Sequence, residues 1–408
     1  MQRTKAAMQL QRYDKRGLKT GLFLNMLCHI SLCRGNEIYS YHSTNIIEKF
    51  YLCNEIDMKQ RVRFIINPIS GTHEKQTIVQ MIPEHFPADL FETEVIYTEY
   101  GGHAEILAAE AAKQGMDICV AVGGDGTVNE VGRSLAHTDT ALGIIPCGSG
   151  NGLARHLAIP THPAEALNIL AEGHIKTLDY GLINHKPFFC TCGIGFDALV
   201  SQKFAQSGKR GLLNYVDNTI KEGLNYKPET YQITIDGEDQ TYEAFLIACA
   251  NASQYGNNVY IAPAASMKDG LMDVTILKPF NLLEAPQVVL QLLNKTIYKN
   301  PNARVFRCSK LHVHRQKPGV VHFDGDPVEC GTDIDVELIH NGIKVVVNAH
   351  KNRFPANPFL TPLSEVYANI QLRIGRLRET LSSDIHHTNE RIRHINADLL
   401  NKLRGHKE

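Results

Sequence analysis

The chain has 408 residues, of which 43% are hydrophobic and 21% are charged, and its formal net charge is −1. This composition is typical of a folded protein of more than one domain and excludes a disordered polyelectrolyte. Nucleic acid is an unexpected partner, because the near-neutral chain has no basic stripe interleaved with aromatic residues.

The first 57 residues show no clear hydrophobic periodicity, and we interpret residues 1–57 as an N-terminal extension, either a disordered segment or a mis-assigned start. Its most apolar stretch, residues 21–33, is interrupted by Asn25 and His29. A membrane-spanning helix needs roughly 20 apolar residues. We therefore expect no transmembrane helix here.

Residues 58–190 alternate between apolar strand-like runs and helical patterns. The runs recur at 61–66, 92–97, 117–122 and 141–146, with a helical pattern such as 103–114 between them. This alternation predicts a doubly wound α/β domain with a parallel sheet. The loops after such strands lie along one edge of the sheet, where ligands bind.

Two glycine-rich loops follow two of these runs. They are residues 123–127, Gly-Gly-Asp-Gly-Thr, and residues 147–152, Cys-Gly-Ser-Gly-Asn-Gly. A single loop of this kind would be explained equally well by a tight turn or by a phosphate site. Two together favour a phosphate site, where main-chain N–H groups at the start of a helix bind an anion. Asp125 would repel a phosphate, so we expect it to hold a Mg²⁺ ion.

Two common nucleotide-binding motifs do not fit the chain. Walker A requires Lys-Ser or Lys-Thr after its second glycine, and no glycine here has that sequence at the required spacing. Residues 193–198, Gly-Ile-Gly-Phe-Asp-Ala, match the dinucleotide fingerprint after a strand-like run at 187–192. No second strand ending in an acid follows, so we do not expect a nicotinamide cofactor.

Residues 191–350 have the alternation of antiparallel strands, and we predict a β-sandwich domain. Runs at 231–235 and 242–250 flank Asp236-Gly237, and runs at 334–339 and 343–347 flank Asn341-Gly342, a strong hairpin signal. Asp269-Gly270 and Asp324-Gly325 are, taken singly, most simply β-turns.

The last residues, 351–408, have apolar residues every three or four positions from Leu363 to Leu403, which predicts a helical C-terminal tail. Packing against the protein body, against a second copy in a homodimer, or on a membrane all stay open. Residues 193–226 mix apolar and basic side chains and fit either a membrane contact or a solvated helix face.

Short motifs occur in order between residues 61 and 350. They are Asn67-Pro68 with Gly71, Thr98 before Gly102-His103-Ala104, residues 123–130, residues 146–151, residues 193–198, Ala262-Pro263 with Asp269-Gly270, and Asp324-Gly325. Together these motifs resemble those of the diacylglycerol kinase catalytic family, which includes soluble bacterial lipid kinases and sphingosine kinases.

The resemblance implies that ATP and Mg²⁺ are used to phosphorylate the hydroxyl of a membrane lipid in the cleft between the two domains. It implies Asp324 as general base, Asp125 as a catalytic residue, and Asp125 with Asp326 at the active-site Mg²⁺. A structural Mg²⁺ would be held by Ser266, Asp269 and the carbonyl of Leu271. The residues expected to bind ATP are Asn67, Thr98, Gly123, Gly124, Asp125, Gly126, Thr127, Val128, Asn129 and Ser149.

Three departures from the family pattern matter. Asp326 stands where many bacterial relatives have Glu, which leaves its role at the metal open. Ser149 stands where they have Thr, and Gly152-Leu153 replaces the family's acidic–aromatic pair, and these two changes leave the lipid open. The alternatives are a small-molecule kinase similar to NAD kinase, and a non-catalytic module that binds lipid or nucleotide.

The ten cysteines contain no C-x-x-C pair, so we expect reduced thiols and a cytoplasmic protein associated peripherally with the membrane.

Overall fold

The computed structural model describes residues 59–71, 75–207, 226–235, 237–281 and 284–350. The predicted N-terminal extension and C-terminal helical tail lie outside the described residues, as do residues 208–225 of the basic segment. None of the described helices has the length and apolar composition needed to cross a bilayer.

The first lobe alternates strands and helices, as predicted. Its parallel strands lie in the order β2-β1-β3-β4. Every residue of β3 and β4 is buried, because helices cover both faces of a parallel sheet. The elements are β1 (Gln60–Ile66), α1 (Lys75–His85), β2 (Phe91–Tyr97), α2 (His103–Lys113), β3 (Ile118–Gly123), α3 (Asp125–Leu135), β4 (Ala141–Pro146), α4 (Gly152–His156) and α5 (Pro163–Glu172).

The second lobe is rich in antiparallel strands. Its elements are β5 (Ile175–Ile183), β6 (Lys186–Phe188), β7 (Thr191–Gly195), α6 (Phe196–Ser207), β8 (Glu229–Ile235), β9 (Glu238–Ala244), β10 (Leu246–Ala250), β11 (Met272–Leu277), α7 (Ala285–Leu293), a 3₁₀ turn (Ile297–Lys299), β12 (Ala303–Cys308), β13 (Lys310–Arg315), β14 (Gly319–Phe323), β15 (Asp326–Cys330) and β16 (Asp333–Val346).

These strands form the predicted sandwich. One sheet has the order β12-β11-β10-β7-β14-β15, and the facing layer contains β16, β13, β8 and β9 with β5 and β6. Buried side chains from both layers, among them Phe188, Tyr231, Ile247 and Val313, share one apolar core. Tight burial of both inner faces is what holds two sheets together.

The predicted hairpin at Asn341-Gly342 is wrong. Residues 333–346 form the single strand β16, which pairs with β5 through a register shift between Ile339 and Ile343. Asn341 has a φ of +53°, so the local turn signal produces a bulge instead of a reversal. The end of β16 runs parallel to β4 at Val345, so one continuous sheet joins the two lobes.

Two predicted strands each divide between the two sheets. Residues 242–250 become β9 and β10, and the chain crosses at Phe245, whose N–H donates to the Leu277 carbonyl at 2.7 Å. Residues 187–192 likewise become β6 and β7. At this second crossing the main-chain N–H groups of Phe189 and Cys190 point at a carboxylate from elsewhere in the chain, which brings them into the candidate site.

Candidate active site

The first glycine-rich loop is itself the start of a helix. α3 begins at Asp125, three residues earlier than the predicted helical pattern at 128, with Gly124 as an extended N-cap and no side-chain cap. A Cβ atom at Gly123 would lie 2.5 Å from Thr127 Oγ1, so only glycine fits there. The first N–H groups of a helix have no partner within the helix, and together they attract an anion.

Two neighbouring loops are tied to this helix start. Asn67, after β1, donates from Nδ2 to Thr127 Oγ1 at 3.0 Å. The N–H of Gly102, in the loop that follows β2 and Thr98, donates to Glu130 Oε1 at 3.0 Å. The loops after β1, β2 and β3 therefore meet at the carboxyl edge of the parallel sheet, as the sequence predicted.

The carboxylate of Asp125 is bonded to the second glycine-rich loop. Its two oxygens accept hydrogen bonds from the N–H groups of Asn151, at 2.8 Å, and Gly152, at 2.7 Å. The backbone of Asn151 is left-handed (φ +51°). Its side-chain amide accepts the Gly148 N–H at Oδ1 and donates from Nδ2 to the Gly148 carbonyl. A Cβ at Gly150 would lie 2.7 Å from Asp125 Oδ2, so the loop can approach the Asp125 carboxylate this closely only because residue 150 is glycine.

The second loop also carries an exposed hydroxyl and a cation. Ser149 is exposed at the tip of the loop. Arg155, on α4, donates from Nε to the Gly150 carbonyl at 3.0 Å, and burial lowers the pKa of its guanidinium. Our sequence analysis did not identify Arg155, although a cation one turn after a glycine-rich loop is a recognisable signal for an anion site.

Asp324 lies on the other lobe, in the two-residue turn between β14 and β15. Asp324 and Gly325 both have positive φ, +49° and +90°, as primed hairpin turns require. The Asp324 carboxylate accepts three successive main-chain N–H groups, of residues 189–191, at 2.7 to 3.1 Å. Its fourth donor is Asn129 Nδ2 on α3, at 2.8 Å, and this bond joins the two lobes.

Negative charge is concentrated between the lobes. Burial raises the pKa of Asp125 and of Asp324, against the opposing effect of their hydrogen-bond donors. Asp326 is exposed at the cleft rim, yet loss of water on its protein side and the charge of Asp324 raise its pKa to about 6. Asn129 Oδ1 is buried here without a hydrogen-bond partner. A Mg²⁺ ion, which prefers oxygen ligands, fits these groups.

The residues predicted for a structural Mg²⁺ fit a metal poorly. Ser266, Asp269 and Leu271 lie in the connection between β10 and β11. The Asp269 carboxylate is paired with the Arg307 guanidinium and accepts the Leu271 N–H at 3.3 Å. Because the Arg307 guanidinium already supplies positive charge to this carboxylate, the three residues do not fit a structural Mg²⁺ ion.

The first glycine of the dinucleotide-like motif, Gly193, adjoins a buried polar group. His322 Nε2 lies 3.3 Å from Asp197 Oδ2, and Tyr255 donates its hydroxyl to the same oxygen at 3.1 Å. A Cβ at Gly193 would lie 2.0 Å from Asp197 Oδ2 and 2.6 Å from His322 Nε2. Glycine at residue 193 therefore leaves room for this group beneath the β14–β15 turn.

We expect Gly193→Ala to lower the free energy of unfolding by about 1–3 kcal/mol, because the added methyl overpacks the Asp197–His322 pair. Urea denaturation of both variants measures this. Gly331→Ala is the control, since a Cβ there meets no atom within 4 Å, and its effect should stay within about 0.5 kcal/mol. Equal stability of the two variants would contradict the close packing at Gly193.

Family models match both lobes of the chain. Residues 61–183 match the family described as "Diacylglycerol kinase catalytic domain". Residues 190–350 match the family described as "YegS C-terminal NAD kinase beta sandwich-like domain". The chain is 30% identical to a diacylglycerol kinase of Mycobacterium tuberculosis H37Rv over 60% of its own length and 82% of that protein. The chain belongs to the diacylglycerol kinase catalytic family.

Other proteins also match much of this diacylglycerol kinase family member. It is 28% identical to a diacylglycerol kinase of Bacillus subtilis, over 65% of this chain and 90% of that protein. It spans 64% of an uncharacterized Synechocystis protein, at 28% identity over 68% of its own length. A crystal structure of a diacylglycerol kinase from Bacillus anthracis has the same fold, with a TM-score of 0.55, 20% identity, and coverage of 72% of this chain and 98% of that one.

Most of the residues that family resemblance assigned to ATP lie in the joined loops of the first lobe. Val128 differs from the others, because its side chain belongs to the apolar core and only its main chain could contact a ligand. Asp125 and Asn129 lie on α3, between the second glycine-rich loop and the Asp324 turn. Asn151 was missed by sequence reasoning, although an Asn among glycines is a common sign of a left-handed residue.

Proposed function

We propose that this diacylglycerol kinase family member is an ATP-dependent lipid kinase, which transfers the γ-phosphoryl group to a hydroxyl of a diacylglycerol or sphingoid lipid. The observation that carries the proposal is the hydrogen bond of 2.8 Å between Asn129 Nδ2 and Asp324 Oδ2. It holds a carboxylate of the second lobe beside the helix start of the first, where a phosphate is favoured.

In this proposal the first lobe binds ATP. The N–H groups at the start of α3 face the phosphates. The Asp125 carboxylate joins the two glycine-rich loops through its hydrogen bonds to Asn151 and Gly152. Asn67, Thr98 and Ser149 supply polar groups from three different loops, and Arg155 adds a positive charge. Rigid donors placed in advance stabilise the charge that develops during phosphoryl transfer.

Mg²⁺ would be held by Asp326, Asn129 Oδ1 and Asp125, and when bound it would neutralise charge on the phosphate oxygens. Loss of water and then the negative charge of Asp324 raise the pKa of Asp326, and a cation here would offset that negative charge.

Asp324 is proposed as the general base. Its oxygen takes the proton of the lipid hydroxyl as that hydroxyl oxygen bonds to the γ-phosphorus, and ADP leaves with the electrons of the broken bond. The donors of residues 189–191 fix the carboxylate in one orientation. The raised pKa of Asp324 makes it a stronger base than an exposed carboxylate.

We further propose a cytoplasmic protein that associates peripherally with the membrane that contains its substrate. Cys119, Cys147, Cys190, Cys192, Cys249 and Cys330 are thiols, and the first five of them are buried, which supports a reducing compartment. A lipid acceptor itself requires contact with a bilayer or with extracted lipid.

The test is a transfer assay with purified full-length protein, Mg²⁺ and γ-labelled ATP, offered diacylglycerol, sphingosine and NAD in parallel. We expect the label in a lipid product. Label in NAD would instead support a small-molecule kinase, and ATP binding with no transfer to any acceptor would support a binding module.

We expect Ser149→Ala to reduce kcat/KM for ATP about tenfold and Ser149→Thr to be tolerated, since loss of one hydrogen bond to a charged group costs about 1.5 kcal/mol. Steady-state kinetics at varied ATP concentration measure this. If the two variants have the same kinetics, Ser149 is only a turn residue.

A further inference from the structure

Helix α7 has an apolar stripe on its outer side. Val288 is buried against the sandwich, whereas Val289 and Leu290 are 49% and 53% exposed. Pro286, Val289, Leu290 and Leu293 follow the spacing i, i+3, i+4, i+7, which places them on one side of the helix. A helix with apolar residues on both its buried and its outer side is unusual on a solvated surface.

The apolar surface continues onto the neighbouring elements. Tyr298, in the 3₁₀ turn, is 55% exposed, and Val305, on the edge strand β12, is 43% exposed. The 3₁₀ turn contacts both α7 and β12. Four of the ten large hydrophobic side chains that are exposed in the described residues therefore lie within residues 289–305. This concentration differs from the scattered exposure that is ordinary on protein surfaces.

The longer stretch of chain that contains this segment is basic. Residues 285–323 contain seven Lys or Arg and no Asp or Glu. Arg307 and Lys310 pair with carboxylates from other segments. Lys295 instead lies over the ring of Tyr260 and Lys299 over that of Tyr298, beside the apolar stripe. The apolar centre thus has a positively charged rim.

We propose that this surface binds an anionic lipid bilayer. We call it the α7 face and define it as Pro286, Val289, Leu290, Leu293, Tyr298 and Val305 with the rim of Lys295 and Lys299. Apolar side chains enter the boundary of the acyl chains, a tyrosine ring suits the interfacial region, and lysines attract anionic headgroups. The inference rests on the proposed lipid kinase function, because a kinase of membrane lipids must meet a bilayer.

The α7 face is connected to the candidate site through one apolar layer. Val288 and Ile297 belong to a buried cluster that extends along one side of the sandwich to Phe196 and Val200 of α6. α6 packs against β14 and β15, which carry Asp324 in their turn. β12 and β14 are four strands apart, or about 19 Å. A docked bilayer would therefore lie within reach of the substrate lobe.

Vesicle flotation of the full-length protein tests the α7 face. We expect binding to vesicles of phosphatidylglycerol and phosphatidylcholine, weaker binding in high salt, and little binding to phosphatidylcholine alone. Val289→Asp with Leu290→Asp, and separately Lys295→Glu with Lys299→Glu, should each reduce the partition coefficient at least tenfold. The matched controls are Leu90→Asp, exposed on the first lobe, and Lys113→Glu with Lys176→Glu.

Kinase activity on a dispersed short-chain diacylglycerol separates this inference from the proposed function. Variants of the α7 face should keep that activity while losing vesicle binding. Vesicle binding equal to wild type in both α7 variants, or lost equally in the controls, overturns the inference. A homodimer that the α7 variants dissociate overturns it in favour of a protein partner. Vesicle binding by the α7 face without any transfer leaves the surface intact and overturns the proposed function.

Discussion

Asp324→Asn should lower kcat with a lipid acceptor by roughly 10²–10⁴-fold, the usual contribution of acid–base assistance. Asn has no site for the proton of the lipid hydroxyl. ATP binding, measured by calorimetry with a non-hydrolysable analogue, should change much less than kcat, because Asp324 lies on the lobe opposite the glycine-rich loops.

The same substitution also has a structural cost. The carboxylate accepts four hydrogen bonds, from residues 189–191 and from Asn129, and an amide nitrogen cannot accept any of them. Leaving one or two buried donors unpaired costs about 1–3 kcal/mol each, so the melting temperature should fall as well.

Asp179→Asn is the control that separates these effects. Asp179 is a buried carboxylate that accepts the main-chain N–H groups of Gly270, at 2.9 Å, and Asn341, at 2.8 Å. Its replacement should lower stability similarly while kcat stays within a few-fold of wild type. A nearly normal kcat in Asp324→Asn would instead make Asp324 a turn residue and move the base to another carboxylate, with Asp326 as the next candidate.

The parallel half of the fold could be predicted because its signals are local. In β3 and β4 every residue is buried, so an uninterrupted apolar run marks each strand and its length. The glycine-rich loops follow those runs directly. Their position at one edge of the sheet is then a consequence of parallel topology alone.

The antiparallel half was predicted less accurately because its strand ends depend on distant partners. Asn341-Gly342 carries a hairpin signal, but β16 stays straight enough to pair with β5 on both sides of the bulge. At Phe245 and Phe189 nothing in the local sequence marks the change of sheet. Those crossings are fixed by bonds to Leu277 and to Asp324, which lie 32 and 135 residues away in the sequence.

In the candidate site, the sequence indicated which residues take part but not which residues they contact. Asp125 was expected to face a metal, and its two oxygens accept N–H groups of the second glycine-rich loop. Asp324 was open to two interpretations, a turn residue and a site residue. It is at once the first residue of a two-residue hairpin turn and the residue bonded to Asn129.

Asp125→Asn should reduce kcat/KM for ATP roughly 10²–10³-fold, the usual effect of losing a preorganised group in a charged site. The amide that replaces one carboxylate oxygen directs its own N–H groups at a main-chain N–H of Asn151 or Gly152. The second glycine-rich loop then loses a bond that holds it beside α3, and one ligand for Mg²⁺ is weakened. The melting temperature should fall, because the lost bond is largely buried.

Asp117→Asn is the matched control at the opposite end of β3. The Asp117 carboxylate accepts the main-chain N–H of Arg61 at 2.9 Å, on the sheet edge away from the loops, so its loss should leave kcat/KM for ATP unchanged. Titration with Mg²⁺ separates the two roles of Asp125. If saturating Mg²⁺ restores full ATP use to Asp125→Asn, the residue acts through the metal alone. If ATP use and stability both match wild type at every Mg²⁺ concentration, the bond between the two glycine-rich loops has no part in binding ATP. We expect neither result, because an amide cannot accept both N–H groups whatever the metal concentration.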